Sequence, residues 1–364
     1  MIVNDVISAL EELAPLAYAE QFDNVGLLVG DKNQEVTGVL VTLDTLEKTV
    51  EEAIEKKCNL IVSFHPIIFK GLKKITGKNY VERVVLKAIK HDISIFAIHT
   101  ALDNSYKGVN YQICKELGLV NQQVLIPQSG TIKKIVTHVP KQDLEKVKNA
   151  MFNAGAGSIG NYNECSFNIK GYGTFKPNED ANPKVGERGV LQKEEEIQLH
   201  LTFSKHVQTQ VLQALFNSHP YEEVAYEITT LENKNQQIGI GMVGELKEEL
   251  EAEVFLEQVK SKFKLEVIRH SALLQNKIKR VAVLGGSGAF AIPNAISVKA
   301  DIYITADLKY HDFYQAENKI VLADIGHYES EQYTKNLLHS YLTKKFRNFA
   351  IVLSQKSTNP IQYS

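Results

Sequence analysis

Tryptophan is absent from the 364 residues, and only three cysteines occur. No run approaches the ~18 apolar residues that a membrane-spanning helix needs, so no membrane segment is predicted. Cys58, Cys114 and Cys165 stand far apart without a C-x-x-C pair, and their odd number argues against a disulfide framework. The first residues, "MIVNDVISALEELAPLA", lack the basic and apolar regions of a signal peptide. We therefore expect a cytoplasmic protein.

An excess of charge of either sign is also lacking. The chain has 41 Lys and Arg against 43 Asp and Glu, which gives a formal net charge of −2. Nucleic-acid binding usually depends on clustered Lys and Arg, so no strong nucleic-acid footprint is predicted. Since a domain typically has ~100–200 residues, the length favours two domains.

What is present is an alternation of apolar runs with amphipathic helical patterns. Runs without polar alternation are typical of parallel strands that are buried on both faces. They occur at 38–44, 59–65, 93–99, 280–288, 300–307 and 319–327. The pattern predicts an α/β core with a mostly parallel buried sheet and flanking helices, built from residues 1–127 and 238–364.

The intervening residues, 128–237, have a different pattern. Strand-like and helical segments follow one another in the order β-α-β-β-α-β, with a loop rich in Gly, Pro and charge near 176–190. This order is typical of a ferredoxin-like α+β domain. We therefore predict that a ferredoxin-like domain is inserted into the core.

Polar residues follow the predicted core strands. In open α/β sheets, ligands bind outside the carboxyl ends of the strands. The residues at these ends are Asp44, His65, His99, Asp103, Gly286, Gly288, Asp307, His327 and Glu331. Histidine nitrogen and carboxylate oxygen form the common ligand set for Zn²⁺, Fe²⁺ and Mn²⁺. Their convergence predicts a metal site at one edge of the sheet.

His327 and Glu331 are the most informative pair. In a helix that starts near residue 328, positions i and i+4 share a face, with Cβ atoms ~5–6 Å apart. Glu329 and Glu331 could instead favour the positive end of the helix dipole, but this leaves His327 unexplained. Taken alone, His65 also fits a half-buried histidine. By itself, the pair His99 and Asp103 fits a capped turn equally well.

The segment "AVLGGSGAFA" offers a competing interpretation. Gly286, Gly288 and Ala291 fit the G-x-G-x-x-A pattern of dinucleotide binding, and Asp307 lies at a suitable distance for a ribose. The following helical segment is short and contains Pro293, which weakens the match. A glycine-rich turn beside an anionic pocket explains the same glycines.

Several motifs together resemble the NIF-three-like family, whose members are often called GTP cyclohydrolase I type 2 homologs. They are "FDNVGLLVG", "SFHPIIF", "HTALDN", "GGSG", "TADLKYHD" and "DIGHYESE". The middle segment is similar to the PII/CutA-like domain of the longer bacterial members. The resemblance implies a dinuclear metal site and a homohexameric ring with the metals facing an internal cavity.

Carried over by motif, the resemblance implies that His65, Asp103, His327 and Glu331 are metal ligands. The family usually has two adjacent histidines where this chain has Phe64 and His65, so one metal position lacks its usual imidazole. Further motif residues that could line the pocket are Asp23, Asn24, Thr305, Asp307, Lys309 and His311.

Three hypotheses about function follow. The first is a hydrolase that uses one or two Zn, Fe or Mn ions and acts on a nucleotide-like small molecule. In this hypothesis His99 or His311 moves protons. The alternative is a non-catalytic metal-binding assembly or regulatory protein, with the PII-like domain binding a ligand or partner. A third, less favoured hypothesis is a nicotinamide-dependent enzyme that binds its cofactor at "GGSG".

Overall fold

The computed structural model describes residues 1–274 and 277–364. The chain forms two compact units. The first unit comprises Met1–Pro127 and Gln236–Ser364, and the second comprises Gln128–Asn235. In the described part of the chain, no helix has both the length and the apolar character that crossing a membrane requires.

The strands and helices are numbered in chain order. The strands are β1 (Gly26–Val29), β2 (Val39–Thr42), β3 (Leu60–Ser63), β4 (Ser94–Ala97), β5 (Val120–Gln128), β6 (Ile132–Pro140), β7 (Phe167–Phe175), β8 (Gln192–Ser204), β9 (Tyr226–Leu231), β10 (Asn235–Leu250), β11 (Arg269–His270), β12 (Ile278–Ser287), β13 (Ile302–Ala306), β14 (Val321–Asp324) and β15 (Ile351–Leu353). The α-helices are α1 (Val3–Leu13), α2 (Glu47–Glu55), α3 (Tyr80–Lys90), α4 (His99–Asp103), α5 (Val109–Glu116), α6 (Leu144–Asn153), α7 (Gln208–Ser218), α8 (Ala252–Phe263), α9 (Ile292–Ser297), α10 (His327–Glu331) and α11 (Thr334–Lys345).

The first unit contains two mixed sheets, where the sequence patterns predicted a single mostly parallel one. One sheet has the order β1-β4-β3-β2-β15, and the other has the order β11-β14-β13-β12-β10-β5. The central pairs are parallel: β2 with β3, β3 with β4, β12 with β13, and β13 with β14. One edge strand of each sheet is antiparallel to its neighbour: β1 beside β4, and β11 beside β14. The expectation failed because apolar runs reveal burial but do not show which strands pair.

The six apolar runs form β2, β3, β4, β12, β13 and β14, as predicted. Every residue of β2, β3 and β4 is buried, as expected for strands covered on both faces. Cys58 and Cys114 are buried thiols. The long strand β10 was not predicted, because glycines at 239, 241 and 244 interrupt its apolar pattern.

The second unit is a four-stranded antiparallel sheet with the order β7-β8-β6-β9. Its elements follow the chain as β6-α6-β7-β8-α7-β9, which is the predicted β-α-β-β-α-β order. The helices α6 and α7 pack on one face around Ile135, Leu199 and Leu201. The residues that alternate with these point to the other face of the sheet.

Candidate metal centre

Two strands from the two sheets of the first unit lead to the candidate site. The chain passes from β3 directly to His65, and from β14 through a short turn to His327, the first residue of α10. The last residue of this single-turn helix is Glu331. The helical spacing therefore places the acid beside the imidazole, as the sequence predicted.

Three ligand atoms meet at this point. Glu331 Oε2 lies 3.1 Å from His65 Nε2 and 3.3 Å from His327 Nε2. The side chain of Glu331 is only 4% exposed. Potential ligand atoms of these three residues all lie within 4.8 Å of one another, so one ion could contact all three. Two imidazole nitrogens and a carboxylate oxygen are a donor set that suits Zn²⁺, Fe²⁺ or Mn²⁺.

A second carboxylate orients each imidazole. His65 Nδ1 lies 2.8 Å from Asp44 Oδ1, and His327 Nδ1 lies 2.7 Å from Asp307 Oδ2. A ring that gives its Nδ1 proton to a carboxylate presents the Nε2 lone pair on its opposite side, which is the usual arrangement for metal-binding histidine. Both lone pairs would then face the anionic Glu331. A cation is the group that relieves this contact.

The electrostatics of the site favour positive charge. Burial disfavours charged imidazole, yet the neighbouring carboxylates of Asp44 and Glu331 raise the pKa of His65 to about 10. Burial also lowers the pKa of His327, but the carboxylates of Glu331 and Asp307 outweigh this effect and raise the pKa to about 9. Against the effect of burial, the two histidines lower the pKa of Glu331 to about 2. Protons on the two imidazoles can supply this positive charge, and a divalent cation would displace those protons when it binds.

Asp103 contributes a second buried carboxylate. Burial first, and then the charge of Glu331, raise the pKa of Asp103 well above its usual range. Among the described residues, Asp103 Oδ1 has no hydrogen-bond partner. Glu331 Oε2 makes no contact with full hydrogen-bond geometry there, although both imidazoles lie within ion-pair distance of it. A buried carboxylate oxygen without a partner is costly, and a nearby cation would compensate it. The residues present therefore fit a metal ion.

The "GGSG" turn lies against the glutamate. Gly286 has φ +72°, and a Cβ there would lie 2.5 Å from Glu331 Oε1. A Cβ on Gly285 would lie 3.4 Å from Glu331 Cγ. The backbone N–H of Gly286 donates to Ser330 Oγ at 3.0 Å. The close packing of this turn on α10 explains these glycines without a dinucleotide.

His99 lies beside the three ligand residues. Its ring centroid is 5.2 Å from that of His65, and its Nδ1 is 2.9 Å from Asp23 Oδ1. Burial raises the pKa of Asp23, but hydrogen bonds from His99 and Thr100 outweigh this effect and lower the pKa to about 2. His99 therefore repeats the pairing of histidine with aspartate seen at His65 and His327.

The remaining predicted residues take different positions. His311 is exposed on a 3₁₀ helix, and its ring packs against Tyr310 and Tyr314. No contact among residues 1–274 and 277–364 joins it to the three ligand residues. Thr305 Oγ1 donates to Gly286 O at 3.1 Å, whereas Lys309 begins the helix that carries His311.

Phe64 is fully buried, and its ring lies 4.8 Å from that of His65 and 5.4 Å from that of His99. It packs beside the centre but provides no donor atom. The structure thus places a hydrocarbon ring where the family usually has its first histidine.

Neither Asp44 nor Asp307 was predicted to orient a histidine. Asp44 was named only as a strand-end residue, and Asp307 also as a pocket residue or as the ribose partner of a dinucleotide. The sequence positions of both aspartates do indicate this role. Each aspartate follows the strand that pairs in parallel with the strand leading to its histidine: β2 beside β3, and β13 beside β14. Because the carboxyl ends of parallel strands are adjacent, an Asp after one strand can reach a His after the next.

These features define an α/β protein with a candidate metal centre built by the ends of two sheets. The chain belongs to the Duf34/NIF3 (NGG1p interacting factor 3) family, whose profile matches residues 1–360. The resemblance seen in the sequence motifs is therefore confirmed.

Relatives match along nearly the whole chain. A Bacillus subtilis protein named GTP cyclohydrolase 1 type 2 homolog is 39% identical over 364 residues, covering 98% of this chain and 97% of the relative. The crystal structure of a Bacillus cereus protein related to NIF3 is 36% identical with a TM-score of 0.88, covering 100% of this chain and 99% of that one. A Staphylococcus aureus structure is 32% identical with a TM-score of 0.80 and the same coverage.

Proposed function

We propose that the protein is a divalent-metal-dependent hydrolase of the cytoplasm. His65, His327 and Glu331 would hold the metal, and Asp103 would supply a further carboxylate. The approach of two carboxylate-oriented imidazoles to Glu331 Oε2, at 3.1 and 3.3 Å, carries the proposal. When both imidazoles are neutral, as metal binding requires, their Nε2 lone pairs face the carboxylate oxygen, and a cation between them relieves this contact.

Zinc, iron and manganese all accept this mixture of nitrogen and oxygen ligands. We propose that one ion binds tightly, because Phe64 offers no donor for a second one. If this is correct, Phe64→His should increase the number of ions bound per chain, measured by elemental analysis. Phe22→His, at an exposed phenylalanine, is the control. No increase in Phe64→His would mean that Phe64 does not limit the metal content.

A bound divalent cation supplies positive charge that activates water and polarises an oxygen of the substrate. The protein contributes orientation and proton transfer. Asp44 and Asp307 hold the imidazoles in one tautomer and one rotamer. His99, fixed by Asp23, is the proton carrier that lies beside this site. The exposed His311 remains a second candidate from the sequence.

We propose a nucleotide-like small molecule as substrate. The support is the name of the relatives, GTP cyclohydrolase 1 type 2 homolog. The substrate is tested separately from the metal.

The metal site is tested by elemental analysis of freshly purified wild type, His327→Ala and His91→Ala. His91 is an exposed histidine of the same unit and serves as the control. We expect wild type and His91→Ala to retain metal and His327→Ala to lose it. Equal metal content in all three proteins would contradict the site.

Activity is tested with metal-loaded wild type and His327→Ala on a panel of nucleotides and phosphoesters. We expect turnover by wild type only. Equal turnover by both proteins would exclude a hydrolase at this centre while leaving the metal-binding result intact.

The compact second unit supports an alternative function. Residues 128–235 form a separate antiparallel sheet with helices on one face, and we propose that this is the PII/CutA-like domain. The protein would then be a homohexameric assembly in which the metal shapes the subunit and the second unit binds a ligand or partner. Size-exclusion chromatography after chelation tests this: an unchanged hexamer would exclude a structural role of the metal in assembly.

A further inference from the structure

The second unit contains a cavity of about 580 Å³ on the sheet face opposite α6 and α7. The register places Ile169 opposite Gln198 and Gly171 opposite Glu196, so these four residues form the cavity floor. The loop that follows β7 and the segment around Tyr221 form the walls. This volume lies within the range of ~300–1,000 Å³ that is typical of small-molecule sites.

Two glycines keep this floor open. Glycine is disfavoured inside strands and often marks a close approach of a ligand or a neighbouring group. A Cβ on Gly171 would meet no atom within 4 Å, whereas a Cβ on Gly173 would lie 2.3 Å from Glu196 Oε2. Gly173 therefore makes room for the Glu196 carboxylate, and Gly171 leaves free space beside it.

Glu196 is a buried acid with spare acceptor capacity. The residue is 7% exposed, and no ion pair among the described residues includes it. Burial, followed by a hydrogen bond with Glu196, raises the pKa of Tyr221, so its hydroxyl stays protonated and donates to the carboxylate. A carboxylate accepts several hydrogen bonds, and a buried one is normally paired with charged or multiple donors.

The walls around Glu196 are aromatic and fixed in position. The rings of Phe175 and Tyr221 lie 6.2 Å apart at an angle of 56°. The Tyr221 N–H donates to His219 Nδ1 at 3.1 Å, and His219 Nε2 donates to the His138 carbonyl at 3.0 Å. This arrangement preorganises the tyrosine before any ligand binds.

We propose that this cavity binds a flat heteroaromatic ring with two adjacent N–H donors, of which the guanine ring is a common example. The ring would pack against Phe175 and Tyr221 and donate its pair of N–H groups to Glu196, an arrangement that suits a carboxylate. The volume fits a molecule of nucleoside size better than a single amino-acid side chain. This binding site lies within residues 128–235 and does not depend on the metal centre.

The test is calorimetric titration of the full-length protein with guanosine. We expect saturable binding, and binding of inosine, which lacks the exocyclic amino group, at least about tenfold weaker. Titration with guanosine 5′-monophosphate at two salt concentrations distinguishes a nucleotide from a nucleoside as the ligand of this cavity. Tighter, salt-sensitive binding of the monophosphate would identify a nucleotide held also by the exposed lysines at 170, 176 and 184 of the lining. Equal affinity would identify a nucleoside.

Two variants locate the site. Gly171→Ile fills the floor with a residue that favours strands, so it should fold normally and lose guanosine binding. Glu196→Gln should weaken binding at least about tenfold while keeping the side-chain shape. Thr229→Ile, an exposed strand position outside the cavity lining, is the matched control and should bind as wild type does. The proposal is overturned if guanosine fails to bind, if inosine binds equally well, or if a folded Gly171→Ile protein binds normally.

Discussion

The two halves of the candidate metal centre follow one plan but differ in exposure. In one half β2 and β3 present Asp44 and His65, and in the other β13 and β14 lead to Asp307 and His327. The His65 side chain is 21% exposed, whereas that of His327 is 36% exposed. Burial opposes charge at both imidazoles, and the neighbouring carboxylates nonetheless raise the pKa values to about 10 at His65 and about 9 at His327.

The two halves therefore differ in how far solvent reaches the same pairing of histidine with aspartate. An ion pair or a metal–ligand bond is weakened less by solvent when its groups are shielded from water. We therefore expect the half that contains His65 to dominate metal affinity and the half that contains His327 to be the more adaptable one. Glu331 contacts both halves, so its removal should affect both.

The largest effect is expected for Glu331→Gln. The change keeps the shape of the side chain but removes the buried charge that faces both imidazoles, so metal affinity should fall more than about 100-fold. Titration calorimetry with Zn²⁺ or Mn²⁺ measures this fall. Glu329→Gln, a buried acid on the same helix, is the control and should bind metal normally. Equal losses in both variants would indicate a general effect on α10.

The next largest fall in metal affinity is expected when either of the two carboxylates that orient the imidazoles is removed. Asp44→Asn and Asp307→Asn should each reduce metal affinity about 10- to 100-fold, because an amide no longer fixes the tautomer of its histidine. The loss should be greater for Asp44→Asn, whose histidine is less exposed. Metal titrations of both single variants and the double variant test this. A greater loss for Asp307→Asn would reverse the proposed ranking.

Proton release on metal binding gives a smaller, pH-dependent effect. Since the pKa values of His65 and His327 are raised to about 10 and about 9, both imidazoles carry a second proton at pH 7 when no metal is bound. A metal must displace these protons, so affinity should rise about tenfold per pH unit for each proton released. Calorimetry at pH 7 in buffers of different ionisation enthalpy counts the protons. Binding without proton release would show that the imidazoles are already neutral.

The smallest effect on metal affinity is expected for Asp23→Asn, which should act on stability. The pKa of Asp23 is lowered to about 2 in the folded chain, below its usual 3.8. Its ionised form therefore stabilises the fold at neutral pH, and this contribution disappears as pH falls from about 4 to about 2. The variant should lose about 2 kcal/mol of unfolding free energy at pH 7 and little at pH 2, measured by urea unfolding.

The control for that measurement is Asp31→Asn, at an exposed aspartate. It should be as stable as wild type at both pH values. A pH-independent loss in Asp23→Asn would show that packing, and not ionisation, accounts for the role of Asp23.

Much of the fold was accessible from the sequence. Apolar runs located β2, β3, β4, β12, β13 and β14 to within a few residues, because strands buried on both faces contain almost no polar residues. The pairing of those strands was not accessible. The predicted single sheet is two sheets, since hydrophobic patterning records which residues are buried and not which neighbours they have.

For the site, the sequence by itself determined that His327 and Glu331 lie together, because helical spacing is a local property. Only the tertiary structure decided that His65, which is more than 250 positions away in the chain, approaches the same carboxylate, and that His311 does not. Contacts between distant segments depend on how two sheets pack in the first unit. No local pattern of residues records that packing.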